Sequence, residues 1–559
     1  MESRRLRPRS IVNLGSYVDF QRLFLFLIFF FSVFLLWDGW ERSQHPVAPQ
    51  ASSSAPSAAS APIATQEKDA SKPSAVEQLA GVQAANKSGK KILVKTDILS
   101  AEINTMGGNL QHLELLKHRA TDSDKPFVLL QKRESRTYLA QSGLLGEGLP
   151  THNTEFTSQE DNIQLPEGKD TVQVKLLAIT ASGAKVAKIY TFHRGTYLID
   201  VSYEIENTGT TQLSASAYFQ LVRDSSNPEG DSKFVPTYTG PAVYTEESKF
   251  QKVGFSDIEK NKANHPKTAN NGWIAMLQHY FVAAWLPRDK TQREYYTKQL
   301  DGNLFAAGVI LPVPAIEPGK SGGVSLSLYA GPAQSSLNDV APGLGLTVDY
   351  GWLTIIATPL FWLLSLLQGW VQNWGVAIIL LTVLIKLAFF PLSAASYRSM
   401  AKMRVVAPKL EKIKQQYAGD RERLHKAMME LYKTEKINPL GGCLPIMVQI
   451  PVFISLYWAI LSSVELRHAP FFGWITDLSS HDPYYVLPLI MGGSMLLQSK
   501  LNPTPPDPLQ AKVMQIMPIV FSVVFFFFPA GLVLYSVVNN ALSIAQQWYI
   551  TRGAVKNQS

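Results

Sequence analysis

Lys386 stands almost alone among apolar neighbours. From Val376 to Phe390 the only polar side chains are Thr382 and Lys386, four positions apart and therefore on one face of a helix. An ammonium at hydrocarbon depth costs roughly 3 kcal/mol on insertion scales, so such residues face a bundle interior or a water-filled cavity. The chemistry open to it there is attraction of anionic groups. The alternative is that the long stem of Lys386 carries the charge to the headgroups beyond Pro391. Further polar residues interrupt later apolar runs: Gln449 and Ser455, Gln498 and Ser499, then Ser536, Asn539, Asn540, Ser543, Gln546 and Gln547. A second use for Gln449 and Asn539 is hydrogen bonding between helices, about 0.6 kcal/mol each on average.

Nothing else in the chain has catalytic spacing. His112, His118, His152, His193, His265 and His279 are scattered, and there is no HExxH, no G-x-S-x-G and no phosphate-binding glycine loop. No metal or cofactor is expected. A carboxylate pair acting on carbohydrate has no fixed sequence spacing, so a carbohydrate-active or sugar-binding protein stays as an alternative reading. A secondary transporter is a second alternative, although internal repeats are absent and Lys386 is the one charge within the apolar runs. The single cysteine, Cys443, rules out an intrachain disulfide.

The elements that must position Lys386 follow from where the apolar residues lie. The chain has 559 residues, 46% of them hydrophobic, concentrated in the first forty and the last two hundred positions. That pattern predicts a membrane protein with a water-exposed domain between its apolar parts. Arg4, Arg5, Arg7, Arg9 and Arg22 precede the run Leu23 to Trp37, and Trp37-Asp38-Gly39-Trp40 stands where a signal cleavage site would need small residues. The expectation is an uncleaved signal anchor over 1–42 with its N-terminus in the cytoplasm. Residues 43–90, rich in Ala, Ser and Pro, read as a flexible linker. From 91 to 335 the period becomes two. Tyr197, Ile199, Val201, Tyr203 and Ile205 alternate with polar residues, as do Val324, Leu326 and Leu328. Similar runs at Asp170–Ala178, Ala187–His193, Leu213–Val222 and Trp273–Leu286 predict a large β-sandwich.

Helical periodicity returns at Asp349. Residues 350–371 are edged with tryptophans and interrupted by Pro359. Were this stretch to cross the membrane, the Lys386 helix would deliver eleven Lys and Arg of 398–436 to the exported side, against the positive-inside rule. An interfacial amphipathic helix is the expectation instead. Residues 398–436 then form a cytoplasmic helical hairpin around Gly419-Asp420, with seam positions Val406, Leu410, Ile413 and Tyr417 facing Leu424, Met428 and Leu431. Five acidic residues leave this hairpin with six net positive charges. Such a surface suits anionic lipid, or an acidic partner such as ribosomal RNA or a targeting factor.

The next stretch carries a specific resemblance. NPLGGCLPIMVQIPVF, followed by SSVELRHAP and DPYYVLP, with SMAKMR before the hairpin and FPAGLVLY before the last apolar run, resembles the YidC/Oxa/Alb family of membrane-protein insertases, in the Gram-negative form with a large periplasmic domain. The resemblance runs end to end. It implies a membrane α-helical fold of six spans with a five-helix core, plus a large all-β periplasmic sandwich. The spans fall at about 20–38, 375–397, 440–463, 484–500, 512–528 and 532–550, the core occupying 373–559. It also implies a bacterial inner-membrane protein with both termini cytoplasmic and the β domain periplasmic. The expected partners are nascent membrane proteins, the ribosome, the Sec translocon with its accessory subunits, a targeting-factor receptor and the lipid bilayer. A substrate groove would be lined by Lys386, Thr382, Gln449, Ser536, Asn539 and Ser543, and Lys402, Arg404, Lys409, Lys412, Lys414, Arg421 and Arg423 would meet the ribosome or a targeting factor. Family members usually carry arginine where this chain has Lys386, and paired tyrosines where it has Tyr535-Ser536. Lysine keeps the charge and loses the fixed fork of donors.

Overall fold

The computed structural model describes residues 89–556, apart from 122, 134, 181–182, 229–236, 418, 436, 438–443 and 503–507. The expected signal anchor and nearly all of the linker lie outside the described residues. The alternating stretch behaves as its pattern demands. In Leu198–Glu206 the residues Ile199, Val201, Tyr203 and Ile205 are all buried, and the strand pairs antiparallel with Lys185–His193 on one side and Ser321–Pro332 on the other. Its neighbours build a nine-stranded sheet facing a ten-stranded one. Pairing is antiparallel except between Lys91–Lys95 and Asn162–Gln164. The apolar faces of the two sheets share one core, from Ile92 and Leu130 to Trp285 and Leu328. This is the sandwich that the period of two predicts.

One run departs from the simple alternation. Trp273–Leu286 is two strands, Trp273–Gln278 and Phe281–Leu286, paired as a hairpin about His279-Tyr280 and buried at every position. Both of its faces are covered. Ile274, Met276, Phe281, Ala283 and Trp285 point into the sandwich, whereas Trp273, Ala275, Leu277, Val282 and Ala284 join a second core. That second core continues through Leu337, Leu344 and Tyr350 into the helices. A continuous apolar run is what double burial requires.

The helical part begins with α1, Thr354–Val371. Ala357, Phe361, Leu364 and Leu367 form its buried face, while Trp352, just ahead of it, and Ile355, Trp362 and Trp370 are exposed. Gln372 closes α1 in a left-handed conformation, and the Asn373 side chain accepts from Val376 N to open α2, Trp374–Ala388. Next come α3, Phe390–Gln416, and α4, Arg421–Thr434, whose N-cap is Asp420. Then follow α5, Leu444–Ser462; α6, Val486–Leu501; α7, Pro508–Val524; and α8, Ala530–Lys556.

Two expectations change here. The Lys386 helix does not run on unbroken to 397 and beyond: α2 and α3 meet at Phe389 with a bend of 66°. Pro391 stands in the first turn of α3, where its missing N–H costs nothing but where α2 would have needed a donor. The hairpin seam also differs from its predicted register. Val406 and Leu410 are buried against Tyr432 and Ile437, with Met428 and Leu431 partly buried beside them, while Ile413, Tyr417 and Leu424 are only half-buried.

Among the described residues, Gly351–Val371 is the one helix long and apolar enough by itself to cross a bilayer, and the bent α2–α3 pair passes jointly. Shorter apolar helices occupy Met447–Ser462, Val486–Leu501 and Lys512–Phe527. The architecture is therefore a large all-β domain followed by a helical region.

Candidate functional site

Lys386 is 7% exposed, and its ammonium sits among three helices. From α2, Lys386 Nζ donates to Ser543 Oγ on α8 at 2.7 Å and to Gln449 Oε1 on α5 at a longer 3.5 Å. Gln449 Nε2 in turn donates to Tyr535 Oη at 3.1 Å and to Asn539 Oδ1. Ser543 Oγ also donates to Asn539 O at 2.7 Å. Tyr535, Asn539 and Ser543 are four apart on α8 and therefore share the face turned to Lys386 and Gln449. All these partners are neutral. Among the described residues Lys386 has no carboxylate partner, so the network solvates the charge without cancelling it.

Lys386 and Gln449 border a cavity of about 20 Å³, closed by Ile385, Phe389, Val448 and Val452. Such a space holds one or two waters. In this conformation it is too small to admit a polypeptide segment.

The predicted groove residues separate into two groups. Lys386, Gln449, Asn539 and Ser543 meet. Thr382 and Ser536 do not join them, because each hydroxyl bonds a carbonyl of its own helix, Ile378 O at 2.7 Å and Leu532 O at 2.9 Å. Asn540 turns to α6 and donates to Ser494 Oγ at 3.2 Å. Ser455 is fully buried, its hydroxyl unpartnered among the described residues. Tyr535 is the member missed, and its signal was the four-residue spacing to Asn539 and Ser543.

On the hairpin, Lys402, Arg404, Lys409, Lys412 and Arg423 are exposed and Lys414 half-exposed, while Arg421 opens α4. Lys409 pairs with Glu435 at 2.7 Å and Arg423 with Asp420 at 3.1 Å.

Sequence reasoning also missed the joint between the β domain and α5. Val464, just past α5, is buried in the sandwich core, and His279 in the doubly buried hairpin meets Leu461 O at 2.9 Å. Arg467 reaches from the SSVELRHAP loop to Arg119 O and to Thr121 Oγ1. Its guanidinium lies 5.4 Å from the Phe127 ring and 5.6 Å from that of Phe281, a cation–π seat. Burial there lowers His118 to about 4, with the charge of Arg467 adding to the effect. Burial raises Glu465 to about 6.

A two-sheet β domain joined to apolar helices, one of which buries a lysine among neutral side chains, is the arrangement to compare with known proteins. Residues 91–363 match the family described as YidC periplasmic domain, and residues 366–558 match the family described as 60Kd inner membrane protein. The Membrane protein insertase YidC of Nitrosospira multiformis is 57% identical over 97% of this chain and 99% of its own. That of Nitrosomonas europaea is 54% identical over 96% of this chain and 91% of its own. The chain belongs to the YidC family of membrane-protein insertases. A solved structure titled as an active YidC insertase with its first transmembrane domain resolved aligns over 83% of this chain and 93% of its own, at 20% identity and a TM-score of 0.39. A galactose mutarotase related enzyme from Lactobacillus acidophilus aligns over 43% of this chain and 97% of its own at 11% identity, with a TM-score of 0.30, a likeness too loose to support sugar chemistry.

Proposed function

We propose that this protein is a membrane-protein insertase that receives nascent apolar segments at the Lys386 network and releases them into the lipid bilayer, alone or with the Sec translocon. The observation that carries the reading is a buried ammonium held, among the described residues, by neutral side chains of two other helices beside a small cavity. Such partners can rotate away, so a carboxylate in the flank of an incoming segment can replace them at little cost. The flank enters part of the bilayer depth, and the apolar segment then passes into lipid between α5 and α7. Burial at about 25 cal/mol per Å² of apolar surface drives completion. The membrane potential assists export of an acidic flank by about 2.3 kcal/mol per charge per 100 mV. No nucleotide, metal or covalent step is needed.

In this reading the protein is a bacterial inner-membrane protein with six spans, counting the N-terminal anchor. Both termini and the α3–α4 hairpin are cytoplasmic and the β domain is periplasmic. The α1 helix lies on the exported interface, its tryptophans turned to lipid and its other face on the second core. The exposed Lys402, Arg404, Lys409 and Lys412, with Arg421 and Arg423, offer the hairpin to the ribosome or a targeting factor.

The test is photocrosslinking from Val448 and Val452, which border the cavity, to a ribosome-bound membrane segment. Crosslinks that appear and vanish as the nascent chain lengthens are expected, with none from Ser536. Crosslinks confined to neighbouring helices would reduce the Lys386 network to packing.

A further inference from the structure

The loop between α5 and α6 ties together the near ends of α2, α6 and α8. At α2, Asn373 Nδ2 donates to Phe471 O at 3.0 Å, and the Phe471 ring lies so close to Gly375 that a Cβ there would come within 2.0 Å of it. At α6, the buried Asp482 accepts from Leu487 N at 2.8 Å. At α8, Ala530 N donates to Ser480 O at 2.7 Å and Gly531 N to Leu478 O at 2.9 Å. The residues of the Lys386 network then fall at one level. Lys386 is thirteen residues beyond Asn373, Ser543 thirteen beyond Ala530, and Gln449 thirteen before Ser462, the last residue of α5. At 1.5 Å per residue, each lies about 20 Å from the loop. The depth of the network in a bilayer therefore follows the depth of this loop.

One turn of the loop has the chemistry of a membrane boundary. Phe471 N donates to Ile475 O at 3.0 Å, and Gly473 turns the chain with a φ of 62°. Ile475 is buried, whereas Phe472 at the tip is 79% exposed. Trp474 is also exposed, and its Nε1 donates to Asp482 Oδ1 at 3.0 Å. A fixed turn that presents a phenylalanine and satisfies the polar end of a tryptophan suits the level between headgroups and acyl chains. The bond to Asn373 sets this turn where α2 begins, and Val376, Leu384 and Leu387 expose apolar side chains along α2 beyond it.

We propose that Phe472 and Trp474 seat this turn in the exported leaflet of the membrane and so hold the Lys386 network at a set depth. In a hydrocarbon core of about 30 Å, a level about 20 Å from the exported boundary stands about 10 Å from the cytoplasmic one. An acidic flank then reaches the ammonium after about a third of the crossing. Phe472 is a positioning residue, which meets lipid while the loop carries the effect to Lys386. The proposal rests on the insertase reading and its orientation, and its test separates the two.

The test uses the full-length protein in proteoliposomes, with Cys443, the single cysteine, replaced by serine. An NBD fluorophore is attached at Phe472→Cys or at Leu387→Cys, the latter 61% exposed and next to Lys386 in sequence. Quenching by lipids that carry nitroxides at graded depths reads the level of each label. The label at 472 is expected to respond most to the nitroxide nearest the headgroups, and the label at 387 to the deeper ones. Phe472→Asp should move the label at 387 about 3 Å toward the bilayer centre, the rise of two helical residues, and reduce insertion of acid-flanked substrates about threefold, equivalent to about 0.7 kcal/mol. Phe472→Trp should keep both at the parent level. A label at 472 that aqueous iodide quenches and lipid nitroxides do not would overturn the anchor and spare the insertase. A label at 387 that keeps its depth in Phe472→Asp would do the same. Failure of every substrate to insert, with both labels at their expected depths, would overturn the insertase and spare the anchor.

Discussion

Two lysines are buried among the described residues, and they are buried differently. Lys188, inside the sandwich, is fully covered, and its Nζ donates to the backbone oxygens Gly107 O at 2.9 Å and Ser142 O at 3.3 Å. The rings of Tyr190 and Tyr203 lie 5.4 and 5.6 Å away. Lys386, in the helical region, donates instead to side chains of two other helices and borders a cavity. Neither has a carboxylate partner among the described residues. Burial of a cation is therefore no mark of function by itself. Main-chain carbonyls of a turn and a strand hold Lys188 in the fold, whereas the amide and hydroxyl that meet Lys386 belong to side chains free to change rotamer.

The contrast is sharpest in pH dependence. Burial lowers the Lys188 pKa well below its ordinary value of 10.5, so the folded domain binds fewer protons than the unfolded chain. Stability then rises with pH and levels off near 10.5. The rise is expected on the approach to pH 10, where the unfolded chain still holds the Lys188 proton. Hydrogen exchange of the Lys185–His193 amides in the full-length protein reads it. Lys188→Met should abolish the slope, and an unchanged slope would show that Lys188 stays charged.

Lys386→Leu should leave β-domain exchange untouched and reduce insertion of acid-flanked substrates about tenfold, equivalent to about 1.4 kcal/mol. Substrates with neutral flanks should insert normally, as protease protection in proteoliposomes would report. Equal losses for both kinds of substrate would make Lys386 a packing residue, like Lys188. A smaller change is expected from Lys386→Arg, within about threefold of the parent, because the charge stays and the fork adds a second bond. The smallest belongs to the hairpin. Lys409–Glu435 is a largely exposed pair, so Glu435→Gln should shift exchange in α4 by about 0.5 kcal/mol or less. A larger shift would mean that the hairpin depends on this pair rather than on Val406, Leu410 and Tyr432.

Much of the fold was legible because it rests on local periodicity. Ile199, Val201, Tyr203 and Ile205 announced a half-buried strand, and Val406 and Leu410 a helical seam. The double burial of Trp273–Leu286 was harder to read, since its apolar run lacks alternation and its second face is covered by segments sixty and more residues later. At the site, Lys386 and Gln449 stood out as polar residues in apolar surroundings. Tyr535 did not, because a tyrosine among apolar residues carries no such contrast.

The sequence by itself determined the kinds of element, their order and the lone charge in the apolar helix, since each depends on residues within a few positions of one another. Tertiary structure alone decided which polar groups meet. Thr382 shares a helical face with Lys386 yet bonds its own backbone, while Ser543, on a distant helix, receives the ammonium. Arg467 likewise finds its seat on Thr121 and Phe127. These pairings follow from the rotation and depth of one element against another. That relation is set by the packing of the whole core, and no short stretch of sequence encodes it.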